Sequence, residues 1–182
     1  MDSKKDIRKK VFARRAEHTD EQIWNMSQII AEKVVNMPAF QDAERIYAYV
    51  DYNHEVSTRP IIEAAWKAGK KVAVPKVVGK DMIFYQLDSF DQLEPGYFKI
   101  PEPARGEIVD WENPLMIMPG VAFTAQRHRV GYGGGFYDRF LEVHKIPKVA
   151  LAFEFQMMEE VPVEPTDILP DAVVTEKKIY ES

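Results

Sequence analysis

The chain contains no cysteine, which excludes a disulfide framework, a thiolate metal centre and a cysteine nucleophile. No apolar run is long enough to span a bilayer, and the opening MDSKKDIRKK lacks the apolar stretch of a secretory leader. A cytoplasmic protein without membrane contact is the expectation. Positive charge is in deficit: 24 Lys and Arg stand against 29 Asp and Glu, for a net charge of −5. Binding to a phosphate backbone draws on a basic surface, so nucleic acid is not the expected main partner. His54-Glu55 begins like a zinc-binding helix, but Thr58 stands where the second histidine belongs, and zinc is rejected. Neither Gly69-Lys70 nor Gly79-Lys80 continues into the Ser or Thr of a P-loop. Repeats and low-complexity tracts are absent as well.

What is present suits one α/β domain over residues 1–182, with 46% hydrophobic residues to build a core. Ser3 and Thr19 each read as an N-cap with a polar or acidic partner three residues on, opening two helices. Ile7, Val11 and Phe12 mark the apolar face of the first, which runs as far as Arg15; Ile23, Met26, Ile30 and Val34 mark that of the second, which ends before Pro38. Residues 45–50 (RIYAYV) and 71–75 (KVAVP) read as strands joined through a helix that is capped at Ser57 or Thr58 and stopped at Gly69. Such a crossover makes the two strands parallel. Residues 82–87, 115–118, 148–155 and 172–175 supply further strands, and a short helix starts at Phe136. The expected architecture is three-layer α/β/α around a mainly parallel sheet, with two extra N-terminal helices. Its ligand site lies beyond the C-terminal ends of the strands.

Glycine is scarce, nine in all, yet four fall between Gly131 and Gly135. Arg127 and Arg129 precede them, and Tyr137, Asp138 and Arg139 follow. Glycine costs conformational entropy, so such a cluster implies positive φ or a close approach to the backbone. A strand, an arginine-bearing loop, a glycine turn and a helix start together make an anion site, with phosphate as the natural guest. A tight turn packed under a helix is the alternative reading of the glycines alone.

Taken whole, Pro119-Gly120-Val121-Ala122-Phe123 and the run from Arg129 through Gly131, Tyr132, Gly133, Gly134, Gly135, Phe136 and Tyr137 to Asp138-Arg139 closely resemble the signature of the 5-formyltetrahydrofolate cyclo-ligases. The resemblance extends from Lys4 to Asp171. It implies ATP as co-substrate, bound by Lys4, Lys5 and Arg8 of the first helix and by Arg129, Gly131, Tyr132, Gly133, Gly134, Gly135, Phe136 and Tyr137. From spacing alone, Lys4 and Arg8 are also consistent with a solvated basic face. It implies folate contacts at Val50, Glu55, Tyr132, Gly133, Gly134, Gly135 and Phe136, catalytic roles for Arg129 and Tyr137, and Mg²⁺ held by Asp138 and Asp171. Without the resemblance, Glu55 reads equally as a cap and Asp171 as a turn residue. The Glu102-Pro103 of the stiff segment 97–103 is expected in the pocket wall. Thr124, His128 and Phe136 depart from the residues commonest in the family, Asp, Gly and Tyr.

The implied reaction converts 5-formyltetrahydrofolate to 5,10-methenyltetrahydrofolate with release of ADP and phosphate, in a monomer. Another ATP-dependent ligase or kinase is the alternative, or a nucleotide-binding module without turnover.

Overall fold

A computed structural model describes every residue except Tyr97 and Phe98. Helix α1 (Lys4–Ala16) begins at Ser3, whose hydroxyl accepts from the Asp6 N–H. Helix α2 (Asp20–Val35) begins at a full capping box between Thr19 and Gln22. A short α3 (Pro38–Asp42) follows, and then β1 (Arg45–Ala48), α4 (Arg59–Lys67), β2 (Lys71–Val78) and β3 (Asp81–Gln86). The middle of the chain forms β4 (Leu93–Pro95), β5 (Pro101–Pro103) and β6 (Ile108–Val109). The last part carries β7 (Leu115–Met118), β8 (Ala122–Phe123), β9 (Arg129–Val130), α5 (Phe136–Val143), β10 (Lys148–Leu151), β11 (Ala172–Val174) and β12 (Ile179–Glu181).

Eight strands form one sheet in the order β12-β11-β10-β7-β1-β2-β3-β6. The five from β11 to β2 are parallel, while β12 closes one edge and β3 and β6 the other in antiparallel fashion. The alternation of strand side chains sorts the core into two layers. Ile46, Val72, Leu115, Ile117, Val149 and Val174 pack against Ile30 and Val34 of α2 and Ile61 and Ile62 of α4. Tyr47, Met116, Met118, Ala150 and Val173 face the other way, against Leu141 of α5. This is the expected three-layer arrangement. Helix α1 stands outside it: Ile7 and Val11 pack on Val121, Ala122 and Val130 of the β8–β9 ribbon.

Three strands end two or more residues away from the sequence reading. β1 stops at Ala48 rather than at Val50. β10 stops at Leu151, and residues 154–156 form a 3₁₀ turn in which the Gln156 side chain accepts from the Phe153 N–H at 2.8 Å. β2 instead runs on to Val78, because β3 folds back on it as a hairpin that pairs as far as Val78 and Asp81.

Candidate functional site

The chain leaves β1 toward β2 on one side and returns to β7 on the other. The loops after β1 and β7 therefore part at the C-terminal edge, which is where open parallel sheets bind ligands. The first of these loops carries Glu55, and the second carries the arginines and the glycine turn.

In the second loop, Gly133 and Gly135 have φ values of 108° and 69°, a region that costs other L-residues about 1–2 kcal/mol. Gly135 is the N-cap of α5, so the free N–H groups of the first helical turn follow directly on the glycines. The carbonyls are taken up elsewhere. Arg8 Nε donates to Gly131 O at 2.8 Å, and Arg139 Nη1 donates to Gly134 O at 2.7 Å. Two negative ends are thus neutralised, which leaves a turn richer in donors than in acceptors. Arg139 also donates to Lys80 O at 2.9 Å and fastens the turn to the β2–β3 hairpin.

Arg129 lies beneath this turn, 9% exposed, with Nε donating to Pro119 O at 2.7 Å. Its guanidinium sits 5.5 Å from the centre of the Tyr137 ring. A Cβ on Gly131 would come within 3.1 Å of Arg129 Nη1, which explains the glycine there by close approach. Burial pulls the Arg129 pKa down, opposed by nearby Asp138, Tyr137, Tyr132 and Asp167. Burial pushes the Tyr137 hydroxyl far above the ordinary range of a tyrosine, so it is a neutral donor rather than a base.

Asn53 and His54, both left-handed with φ of 49° and 59°, turn the first loop so that Glu55 points inward. His54 pins the bend, with Nδ1 3.0 Å from Arg15 O and Nε2 2.6 Å from Asp20 Oδ1. Glu55 accepts from the Tyr52 N–H at 2.8 Å and from the Tyr132 hydroxyl at 2.8 Å. The Glu55–Tyr132 bond joins the acid loop to the glycine loop. Burial raises the Glu55 pKa to about 7 against the charge of Arg15 and these two donors. Tyr132 is 44% exposed overall, so its ring roofs the acid while its hydroxyl is turned inward.

Val50 lines a cleft of about 420 Å³ together with Asp51, Arg59, Phe90, Leu93 and Pro101. Pro95 and Pro101 of the β4–β5 hairpin form its wall. Glu102 turns away and lays its side chain over Gly96 instead. Tyr97 and Phe98 of the same expected wall lie outside the described residues.

Of the first-helix cations, Arg8 reaches the glycine loop and Lys4 pairs with Glu164 at 3.0 Å. Lys5 is one position off that face and is exposed. The two expected metal ligands are not brought together. Asp138 Oδ1 accepts from the Ile168 N–H at 3.2 Å, which places it beside Asp167. Asp171 is fixed at the start of β11, where Oδ2 accepts from the Lys148 N–H at 2.9 Å. Since β10 and β11 run parallel and start there, Asp171 sits at the N-terminal edge of the sheet, opposite the site. The acid that accompanies Asp138 is Asp167.

The departures from the family pattern are accommodated. The Thr124 hydroxyl accepts from the His128 N–H at 3.2 Å and closes the turn. Its left-handed residue is Arg127, with φ 72°, rather than His128. The Phe136 ring covers Gly134 and carries Arg139 stacked at 5.0 Å. Two residues important to the geometry escaped the sequence reading. Asp167 lies in a proline-rich connection with no periodicity. Arg15 did leave a signal, because it sits on the buried face of α1 with Ile7 and Val11.

A sequence model of the 5-formyltetrahydrofolate cyclo-ligase family matches residues 1–176. The 5-formyltetrahydrofolate cyclo-ligase of Escherichia coli K12 is 33% identical over 177 residues, covering 92% of this chain and 97% of that one. A probable cyclo-ligase of Caenorhabditis elegans is 30% identical, covering 86% of this chain and 84% of that one. The solved structure of Aquifex aeolicus 5,10-methenyltetrahydrofolate synthetase superposes with a TM-score of 0.85 at 33% identity, over 98% of this chain and 92% of that one. The Mycoplasma pneumoniae synthetase has the same fold, with a TM-score of 0.76 at 22% identity over 97% and 99% of the two chains. On this evidence, joined to the loop geometry above, the chain belongs to the 5-formyltetrahydrofolate cyclo-ligase family.

Proposed function

We propose that the protein is an ATP-dependent cyclo-ligase that converts 5-formyltetrahydrofolate to 5,10-methenyltetrahydrofolate with release of ADP and phosphate. The observation that carries the reading is the Tyr132–Glu55 hydrogen bond of 2.8 Å. It ties a donor-rich anion loop to a buried acid across the switch point of the sheet, so a nucleotide and a heterocycle with N–H donors would meet there.

The formyl oxygen is an amide oxygen and a poor leaving group. Its attack on the γ-phosphorus breaks the bond to the bridging oxygen, whose electrons leave with ADP. The formyl carbon, now iminium-like, is attacked by N10; phosphate departs with the electrons of its C–O bond, and N10 loses its proton. No protein nucleophile is needed. The work of the chain is placement and charge neutralisation. Arg129, Arg8 and the N–H groups of residues 131–138 would hold the phosphates, and Tyr137 would donate to an oxygen of the transferred group. Ionised Glu55 would accept the N–H donors of the pterin, whose ring would lie toward Val50 and the cleft.

Asp138 and Asp167 offer hard oxygen donors suited to Mg²⁺. Nucleotide phosphates and water would supply the rest of its shell. Bound there, Mg²⁺ would supply further neutralisation of phosphate charge.

Near-ultraviolet absorbance tests the reading, with Mg-ATP, 5-formyltetrahydrofolate and protein omitted in turn. A methenyl band confined to the complete mixture is expected. Bound ATP without a band would overturn the assignment in favour of another ATP-dependent activity or a module without turnover. A cytoplasmic monomer belongs to the same reading; among the described residues, no helix is long and apolar enough to cross a membrane.

A further inference from the structure

Arg15 ends α1 and is only 2% exposed. Of its guanidinium nitrogens, Nη2 has a long contact of 3.4 Å to Gly120 O and Nε and Nη1 make no hydrogen bond of good geometry, while the group lies close enough to the Tyr132 hydroxyl to favour that hydroxyl's ionised form. A buried cation with unspent donors is costly and is retained where something uses its charge. Its guanidinium carbon lies 5.5 Å from the centres of both the Phe12 and Tyr132 rings, which stack on each other at 6.1 Å. On the Tyr132 ring is the hydroxyl bonded to Glu55. Tyr49 and Asp51 from the end of β1 and Tyr137 from α5 are neutral or negative. The neighbouring His54 has its pKa raised by the Arg15 carbonyl and by Asp20, and the charge it takes up at low pH is directed at Asp20. Arg15 is the cation that opposes the desolvation of this acid.

We propose that Arg15 is a positioning residue that keeps Glu55 a carboxylate, competent to accept the N–H donors of the folate, by acting across the Tyr132 ring without an ion-pair contact. The inference rests on the reading of Glu55 as a folate contact, and the test separates the two. The folate KM is measured from pH 5.5 to 9.5 at saturating Mg-ATP for the wild type, Arg15→Gln, Arg15→Lys and Glu55→Gln. In the wild type the folate KM rises as pH falls through about 7. In Arg15→Gln the rise shifts upward by about one pH unit, which makes KM at pH 7 about fivefold higher and lets the curves converge above pH 9. The ATP KM stays unchanged, and Arg15→Lys restores the wild-type profile because the charge is kept.

A KM raised equally at every pH, a raised ATP KM or failure of Arg15→Lys to rescue would overturn the role. Where Arg15→Gln does not fold, Arg15→Lys decides alone: an unshifted profile supports action through charge, and a uniform loss overturns it. Glu55→Gln should abolish the pH step. If it leaves the folate KM at the wild-type value, the folate role of Glu55 is what fails.

Discussion

The loops after β7 and β1 solve opposite electrostatic problems. The glycine loop gathers N–H donors and arginines at an exposed turn, and Arg8 and Arg139 occupy its carbonyls. The acid loop sinks one carboxylate under a tyrosine and holds it with two donors and a remote cation. An anionic ligand needs only a preorganised surface of donors, and water can stay nearby. A heterocycle with N–H donors needs a desolvated acceptor, and desolvation works against the charge that makes the acceptor strong. The glycine loop spends conformational entropy and the acid loop spends solvation.

The sharpest way to break this contrast is at Arg129. Arg129→Ala removes the buried cation under the turn, and kcat should fall by about 10²–10³-fold, measured by methenyl absorbance at saturating substrates. Arg129→Lys, which keeps the charge but cannot stack and bond as a planar fork, should recover only part of the loss. A smaller effect distinguishes the two ends of the sheet. Asp138→Asn should raise the Mg²⁺ concentration for half-maximal activity by about tenfold, about 1.4 kcal/mol of ion binding, whereas Asp171→Asn should leave it unchanged. Equal effects would return Asp171 to the metal site.

Glu55→Gln tests the other loop through stability. Glu55 binds its proton more tightly in the folded chain, with a pKa of about 7 against an ordinary 4.5. The native state then holds an extra proton between those values, so the contribution of this group to stability falls as pH rises through that window. The full cost, on the order of 3 kcal/mol, is carried above pH 7. Glu55→Gln should therefore unfold at a higher temperature than the wild type at pH 8 and at nearly the same temperature at pH 4.5, as read by circular dichroism. Its folate KM should rise at pH 8. The smallest change is Arg8→Ala, for which the ATP KM should increase by about fivefold, 1 kcal/mol for one charged contact at a partly exposed site. An unchanged ATP KM would remove α1 from the nucleotide site.

The two loops were also unequally legible. Gly131, Gly133, Gly134 and Gly135 stand out because glycine has few reasons to cluster, and Arg129 and Asp138 are fixed to them by adjacency. Glu55 has no such local mark. Its burial depends on Asn53 and His54 adopting left-handed backbone and on Tyr132, 77 positions away in sequence, closing over it. The small β4–β5 and β8–β9 ribbons escaped for a related reason. Two or three residues show no period, and only their partners make them strands.

By itself the sequence determined the order of the main helices and strands, the parallel core and the glycine turn that leads into a helix within the stretch from Pro119 to Arg139. Those follow from local propensity, capping and apolar spacing, which act over a few residues. The tertiary structure decided which charges share an environment: Arg15 with Glu55 through Tyr132, Asp138 with Asp167, and Asp171 at the far edge beside Lys148. Desolvation and through-space charge depend on what folds over a residue from elsewhere in the chain, and no local pattern encodes them.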